Sequence, residues 1–376
     1  METQMTATRT EVTAARRIVV KVGSSSLTTR AGGIDSNRVN SLVKVIAEKR
    51  LSGTQIVLVS SGAIAAGLAP LGLSSRPSDV ATQQAAASVG QSLLVSQYAN
   101  AFSSYGITVG QVLLTAQDVL RRANYRNAQS GLNRLLELGI LPIVNENDTV
   151  ATDEIRFGDN DRLAALVAQV VQADALILLS DVPGLFDGPP ELAGSKLISR
   201  VESMDELADV QIGGTGSAGV GLGGMTTKVE AARIATAAGM PTIVTSADLA
   251  QAVLAGEEVG TLFTAANSKI PTRLLWLTYA TTSQGSIVID DGAVTAVVEK
   301  RLSLLPAGIV SSHGMFSAGD PVDVCDKTGK IWARGIVSFD SDELPGMLGK
   351  RTADLLQEFG TGFDREVIHR DDMVVL

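Results

Sequence analysis

The chain is poor in the residues that build disulfide frameworks and metal clusters. It has one cysteine, Cys325, and two histidines, His313 and His369, among 376 residues. A disulfide scaffold, a cysteine-based zinc site and a multi-histidine metal site are therefore excluded. Aromatic residues make up only 4%. No apolar run reaches the roughly 18 residues that read as a membrane span. Residues 1–17 are polar and lack the apolar stretch of a secretory leader, so the expectation is a cytoplasmic protein. A basic excess is also missing: 31 Lys and Arg face 40 Asp and Glu, a net charge of −9. Nucleic acid is not expected as the main ligand, because phosphate backbones are held by basic surfaces.

What is present is an Ala, Val, Leu and Gly chain, 45% hydrophobic and 19% charged, with 37 glycines. That balance supports a sizeable core, and the length suggests about two domains. Short apolar runs at 18–22, 56–59, 108–114, 140–144, 176–179 and 242–244 read as strands. Helical periodicity at 38–51, 79–104, 116–138, 162–172 and 226–238 falls between them. Such alternation predicts a mostly parallel sheet covered on both faces, with ligands beyond the carboxyl ends of its strands. The pattern changes near 268–282, where Trp276 and Tyr279 are expected to pack a junction. From 285 onward come short β-like runs at 286–289, 293–298, 308–310, 321–325 and 333–338, with a short helix near 344–348. The expected division is 1–275 and 276–376. Residues 281–376 carry 15 acidic and 9 basic side chains.

Four strand-end segments carry chemistry. Lys21 sits inside an apolar strand and precedes Gly23 and Ser24. A lysine there calls for an anion, and open backbone amides cradle phosphate; an exposed edge lysine before a plain turn fits as well. Ser61 and Gly62 open the small-residue run 60–67, suited either to an anion at a helix start or to close helix packing. Asn145–Asp148 and the run 157–161, with Asn160 and Asp161, offer amides and carboxylates for an ammonium, a lysine or a metal; an acidic loop is the alternative. Leu222, Gly223, Gly224, Met225, Thr226, Thr227 and Lys228 form a Gly-rich loop opening a helix, which again suits phosphate. It does not have Walker A spacing. The GxGxxG at 214–219 follows an acidic segment rather than an opening strand, so it is not read as a dinucleotide fingerprint. Ser180 and Asp181 end the 176–179 strand.

In this order the segments resemble the amino acid kinase family, and within it the branch that phosphorylates glutamate at the head of proline synthesis. The likeness rests on Lys-Val-Gly-Ser at 21–24, Ser-Ser-Gly-Ala-Ile-Ala-Ala-Gly at 60–67 and Val-Asn-Glu-Asn-Asp-Thr-Val at 144–150. Arg-Phe-Gly-Asp-Asn-Asp at 156–161, Leu-Leu-Ser-Asp at 178–181 and Gly-Gly-Met-Thr-Thr-Lys at 223–228 complete it. Residues 285–365 resemble a PUA domain. Two departures stand out: Ser180 where threonine is frequent, and an extended Gly-rich stretch at 213–221.

The resemblance implies a three-layer α/β/α sandwich around a mainly parallel sheet, with a small, mostly β domain appended. It implies transfer of the γ-phosphoryl group of ATP, accompanied by Mg²⁺, to the side-chain carboxylate of L-glutamate. Lys21 and Lys228 would neutralise the phosphoryl oxygens and Asp161 would hold both lysines. Gly23, Ser24 and Gly62 would supply amides. Ser61, Asp148 and Asn160 would bind glutamate, with Asp148 on its ammonium. Ser180, Asp181 and the 222–228 loop would bind nucleotide. No protein metal ligands are expected. Proline is the expected feedback inhibitor and a homo-oligomer the expected assembly. The alternatives are a sibling carboxylate kinase, such as acetylglutamate kinase or aspartokinase, and an RNA-binding protein acting through the PUA domain.

Overall fold

The computed structural model describes residues 9–29, 33–115, 118–119, 122–150, 160–190, 192, 194–208, 210, 224–265, 277 and 283–376. Trp276, Tyr279 and the Gly-rich stretch 213–221 lie outside them. The chain divides into two compact units, Met1–Lys269 and Ile270–Leu376.

In the first unit, β1 (Arg17–Val22), β2 (Gln55–Ser60), β3 (Val109–Leu114), β4 (Leu141–Glu146), β5 (Ala175–Ser180) and β7 (Thr242–Ser246) are largely apolar runs, and β2, β4, β5 and β7 end in polar residues. With the short β6 (Arg200–Val201) and β8 (Thr261–Phe263) they form one sheet in the order β3-β4-β2-β1-β5-β7-β8-β6. All neighbours are parallel except β7 and β8. The mostly parallel sheet predicted from the alternation is therefore present, and the two shortest strands are additions to it. Neither was foreseen, because two or three residues carry no readable period.

Alternation along the strands sorts the side chains into two layers. Ile18, Val20 and Val22 of β1 join one core with α1 (Arg9–Ala14), α2 (Ser36–Leu51), α4 (Val80–Ser103) and a helix at Ala250–Ala255. Asp35 caps α2 by accepting from Asn37 and Arg38, and Asp79 caps α4 by accepting from Thr82. On the opposite face lie α5 (Arg122–Glu137), α6 (Asn160–Val170) and α7 (Met225–Ala237). Helix α6 packs against β1, β2, β4 and β5 as well as both neighbouring helices. Most of its residues are buried, including Asn160 and Asp161 in its first turn.

The short helix α3 (Ala63–Leu68) begins at Gly62, whose φ of 100° is left-handed and suits glycine. It crosses α4 at very close range. A Cβ on Gly67 would stand 1.9 Å from the Ala86 carbonyl oxygen, and one on Gly90 would stand 1.8 Å from that of Ala63. Both glycines are there to let the helices touch.

The second unit is a five-stranded sheet in the order β10-β9-β11-β12-β13. Its strands are β9 (Gly285–Ile289), β10 (Ile309–Gly314), β11 (Pro321–Cys325), β12 (Ile331–Ile336) and β13 (Met373–Val375). Its core includes Ile287, Ile289, Val322, Val324, Phe339 and Ile368. The run 293–298 was expected to be β-like and is instead helical: Asp291–Val294 is α-helix and Thr295–Glu299 a π-turn. Asp290 caps it by accepting from Ala293 N at 2.7 Å, and Ala293 and Val297, four residues apart, face the core. Capping and this spacing outweigh the β propensity of Val294, Val297 and Val298. Leu344–Gly346 forms only a 3₁₀ turn, and a helix at Thr352–Phe359 was not foreseen.

Gly90→Ala should separate α3 from α4 and destabilise the protein by about 2–3 kcal/mol. Gly131→Ala, in α5 with nothing within 4 Å of the added carbon, should stabilise by about 0.5–1 kcal/mol. Urea midpoints of the two variants test this; equal shifts would show that the helix contact is not tight.

Candidate active site

Register aligns the strand ends that matter. Val22 stands beside Ser60, Val59 beside Val144, and Val22 beside Leu179. The residues that follow β1, β2, β4 and β5 therefore meet along one edge: Gly23 and Ser24, Ser61 and Gly62, Asn147 and Asp148, and Asp181.

Lys21 points to the α6 side of the sheet, where its Nζ pairs with Asp161 Oδ1. Lys228, in the first turn of α7, reaches Asp161 Oδ2 at 3.1 Å, and Thr227 Oγ1 donates to the same oxygen at 3.1 Å. Lys21 is 3% exposed, Asp161 0% and Lys228 7%. Burial by itself would raise the Asp161 carboxyl; the charges of Lys21 and Lys228, and hydrogen bonds from both, outweigh it and hold the group well below the ordinary carboxylate range. Two ammoniums on one carboxylate leave the cluster net positive. A positive cluster at the strand ends, beside a helix start, is a place for an anion.

A second set of buried polar groups lies beside it. Asn160 Nδ2 donates to the Ser60 carbonyl and to Asn145 Oδ1, both at 2.7 Å. Asn145 Nδ2 donates to Gln91 Oε1 at 2.6 Å. Ser60 Oγ and the Tyr98 hydroxyl are 3.0 Å apart, and burial pushes that phenol upward against the hydrogen bond. Asp148 occupies the turn after β4 and Ser61 the link between β2 and α3, both half-buried.

At the end of β5, Ser180 Oγ donates to Asp181 Oδ1 at 3.1 Å. Gly224 precedes α7 in extended backbone; its carbonyl lies 2.8 Å from Thr227 Oγ1, sharing that hydroxyl's one proton with Asp161 Oδ2, and accepts from Lys228 Nζ at 3.4 Å. Leu222, Gly223 and residues 157–159 lie outside the described residues. The Gly23 amide is taken by the Leu179 carbonyl at 3.4 Å, while Ser24 begins a 3₁₀ turn. A cavity of about 690 Å³ opens on the α2 side of this edge, with Ser25, Arg38, Lys44, Ser180 and Asp181 in its wall. Among the described residues no group of three or more His, Cys, Asp or Glu could hold a metal.

Residues 16–246 match the amino acid kinase family. The chain belongs to that family. Residues 285–359 of this amino acid kinase match the PUA domain. It is 60% identical to the glutamate 5-kinase of Streptomyces coelicolor over 372 residues, 99% of this chain and 100% of that protein. It is 56% identical to the glutamate 5-kinase of Thermobifida fusca over 377 residues, 100% of this chain and 97% of the relative. The carbamate kinase from Giardia lamblia bound to AMP-PNP has the same fold, with a TM-score of 0.50 and 19% identity over 68% of this chain and 100% of that one.

The structure of this amino acid kinase brings Lys21, Asp161 and Lys228 into direct contact and puts Asn160 one residue from them. It also adds side chains that the motifs did not single out. Gln91 and Tyr98 come from α4, far from any polar cluster, and Asn145, within the 145–148 cluster that offers amides and carboxylates, has no role of its own in the sequence pattern. Their one signal is polarity on a helix or strand that packs inward.

Asp161→Asn should leave two buried ammoniums short of their counter-charge and cost about 3–5 kcal/mol at pH 7. A carboxyl held low by folding stabilises above its unfolded pKa and loses that contribution as pH falls through the folded value. The gap between parent and variant should therefore stay constant from pH 8 to 5 and narrow below about pH 4. Chemical denaturation across pH checks this, and a gap that closes near neutrality would contradict it.

Proposed function

We propose that this chain transfers the γ-phosphoryl group of ATP to the side-chain carboxylate of L-glutamate, giving L-glutamyl 5-phosphate, the first step of proline synthesis. The observation that carries the reading is full-length likeness to glutamate 5-kinases, at 60% identity over 99% of the chain. The local chemistry explains how such a site would work.

The nucleophile is a carboxylate, ionised at neutral pH because its pKa is about 4.3. No general base is needed. The obstacle is the approach of one anion to another, and the chain meets it with charge. Lys21 and Lys228 face the transferred group from two elements and neutralise its oxygens as charge shifts to the leaving ADP. Asp161 aims both ammoniums, so little reorganisation is left for the moment of transfer. Attack of a glutamate oxygen on the γ-phosphorus and departure of ADP form one displacement, with no enzyme-bound intermediate.

Mg²⁺ would accompany ATP and be held chiefly by its phosphates. Asp161 is not among its ligands in this reading, since its oxygens serve the lysines. Gly23, Ser24 and Gly62 line the transfer point. Ser180, Asp181 and the 222–228 loop form the nucleotide side, and the adjacent cavity gives room for a ligand of that size.

Ser61, Asp148 and Asn160 form the amino-acid side, with Asp148 facing the α-ammonium. N-acetylglutamate lacks that ammonium, which disfavours the acetylglutamate kinase alternative. Proline carries the same ammonium and α-carboxylate but nothing to phosphorylate, so it would compete there. We place the activity in the first unit of a cytoplasmic homo-oligomer, with the functional boundary near 275. The acidic excess of residues 281–376 speaks against RNA as a ligand.

ADP release should require L-glutamate and be negligible with N-acetylglutamate or aspartate. Proline should raise the apparent glutamate KM and be relieved by excess glutamate. Asp148→Asn, which keeps size and loses charge, should raise glutamate KM by at least roughly tenfold with ATP KM little changed. Turnover of N-acetylglutamate in preference to glutamate would refute the reading. Equal effects of Asp148→Asn on both substrates would remove that residue from the amino-acid side.

A further inference from the structure

We infer that Gln91 is a positioning residue of the amino-acid side, acting through Asn145 to fix the orientation of Asn160; this rests on the glutamate kinase reading above. The sense of each amide follows from its partners. The Glu146 backbone N–H can only donate, and Asn145 Oδ1 accepts it at 3.0 Å. The Ser60 carbonyl can only accept, so Asn160 faces it with its amide nitrogen at 2.7 Å. That nitrogen also donates to Asn145 Oδ1 at 2.7 Å. Asn145 then has only Nδ2 to offer, and Gln91 Oε1 accepts from it at 2.6 Å. Every link is readable in one direction only.

The end result is that Asn160 commits its nitrogen to the protein and keeps Oδ1 as its remaining acceptor. An acceptor there suits the ammonium of an amino acid. Gln91 closes the far end of the chain. It lies 54 residues from Asn145 in sequence, on α4, and is 8% exposed. Among the described residues its Nε2 is buried with no hydrogen-bond partner. A buried donor left unpaired carries a desolvation cost that an apolar residue of similar size would avoid. Packing alone therefore does not account for a glutamine. Its Oε1 does: without that acceptor Asn145 loses the partner of its Nδ2, and its hold on Asn160 beside the Ser60 carbonyl loosens.

The test uses Gln91→Leu, Asn160→Ala and the double variant in the full-length protein, with Gln91→Met as the second choice should the leucine variant not fold. Gln91→Leu should raise glutamate KM about tenfold, the effect of one buried hydrogen bond lost, with kcat and ATP KM within about twofold. Its effect should largely vanish in the Asn160→Ala background, since the two act as one unit. Independently of turnover, NMR should find the Asn160 side-chain amide protons exchanging slowly in the parent and about tenfold faster in Gln91→Leu. A folded Gln91 variant with parental glutamate KM and parental amide exchange overturns the inference, and additive effects on KM overturn the route through Asn160. If the parent does not consume glutamate, the functional reading fails, and amide exchange still decides whether Gln91 orients Asn160.

Discussion

Two buried ammoniums share one buried carboxylate, and the first unit is arranged so that they can. Asp161 has no exposure, which is tolerable only because cations arrive from β1 and from α7. That requirement fixes the layers around it. Lys21 must face α6 and not the α2 core, so β1 must keep its register with β2 and β5. Helix α6 must lie deep enough to bring its first turn under the strand ends, which its small residues Ala164, Ala165 and Ala168 permit. The same depth places Asn160 against the Ser60 carbonyl. The charge cluster and the amide network are thus two consequences of one helix position.

The division of labour between the two sets follows from their chemistry. The lysines leave their cluster with net positive charge, which suits a phosphoryl group. The amides are neutral, directional and fully oriented by their neighbours, which suits recognition of an amino acid whose own charges must stay balanced. Gly67 and Gly90 contribute at one remove. By letting α3 touch α4 they bring Ser61 and Gly62, at the start of α3, to the same edge as Gln91.

Much of this was legible from residues alone. A lysine inside Ile-Val-Val-Lys-Val is too costly to bury without an anion, and the polar ends of β2, β4 and β5 announced where to look. The pairing of Asp161 with both lysines was not readable from spacing, because the partners lie 140 and 67 positions away; it came with the family resemblance. Gln91 escaped both routes. It sits in a helix of alanines with no motif, and only the fold brings it to Asn145. In the second unit the valines at 294, 297 and 298 suggested a strand, and the Asp290 cap decided otherwise. Such cases share one cause: a single tertiary contact or cap outweighs a weak local preference.

If the shared carboxylate holds lysines that act on the transition state, removing one of them must lower kcat. The kinetics of Lys228→Ala address it most directly. In that variant kcat should fall by at least roughly 100-fold, as when a charge contact made in the transition state is removed. A variant with near-parental kcat and only a raised KM for ATP would contradict it, and would make Lys228 a nucleotide anchor.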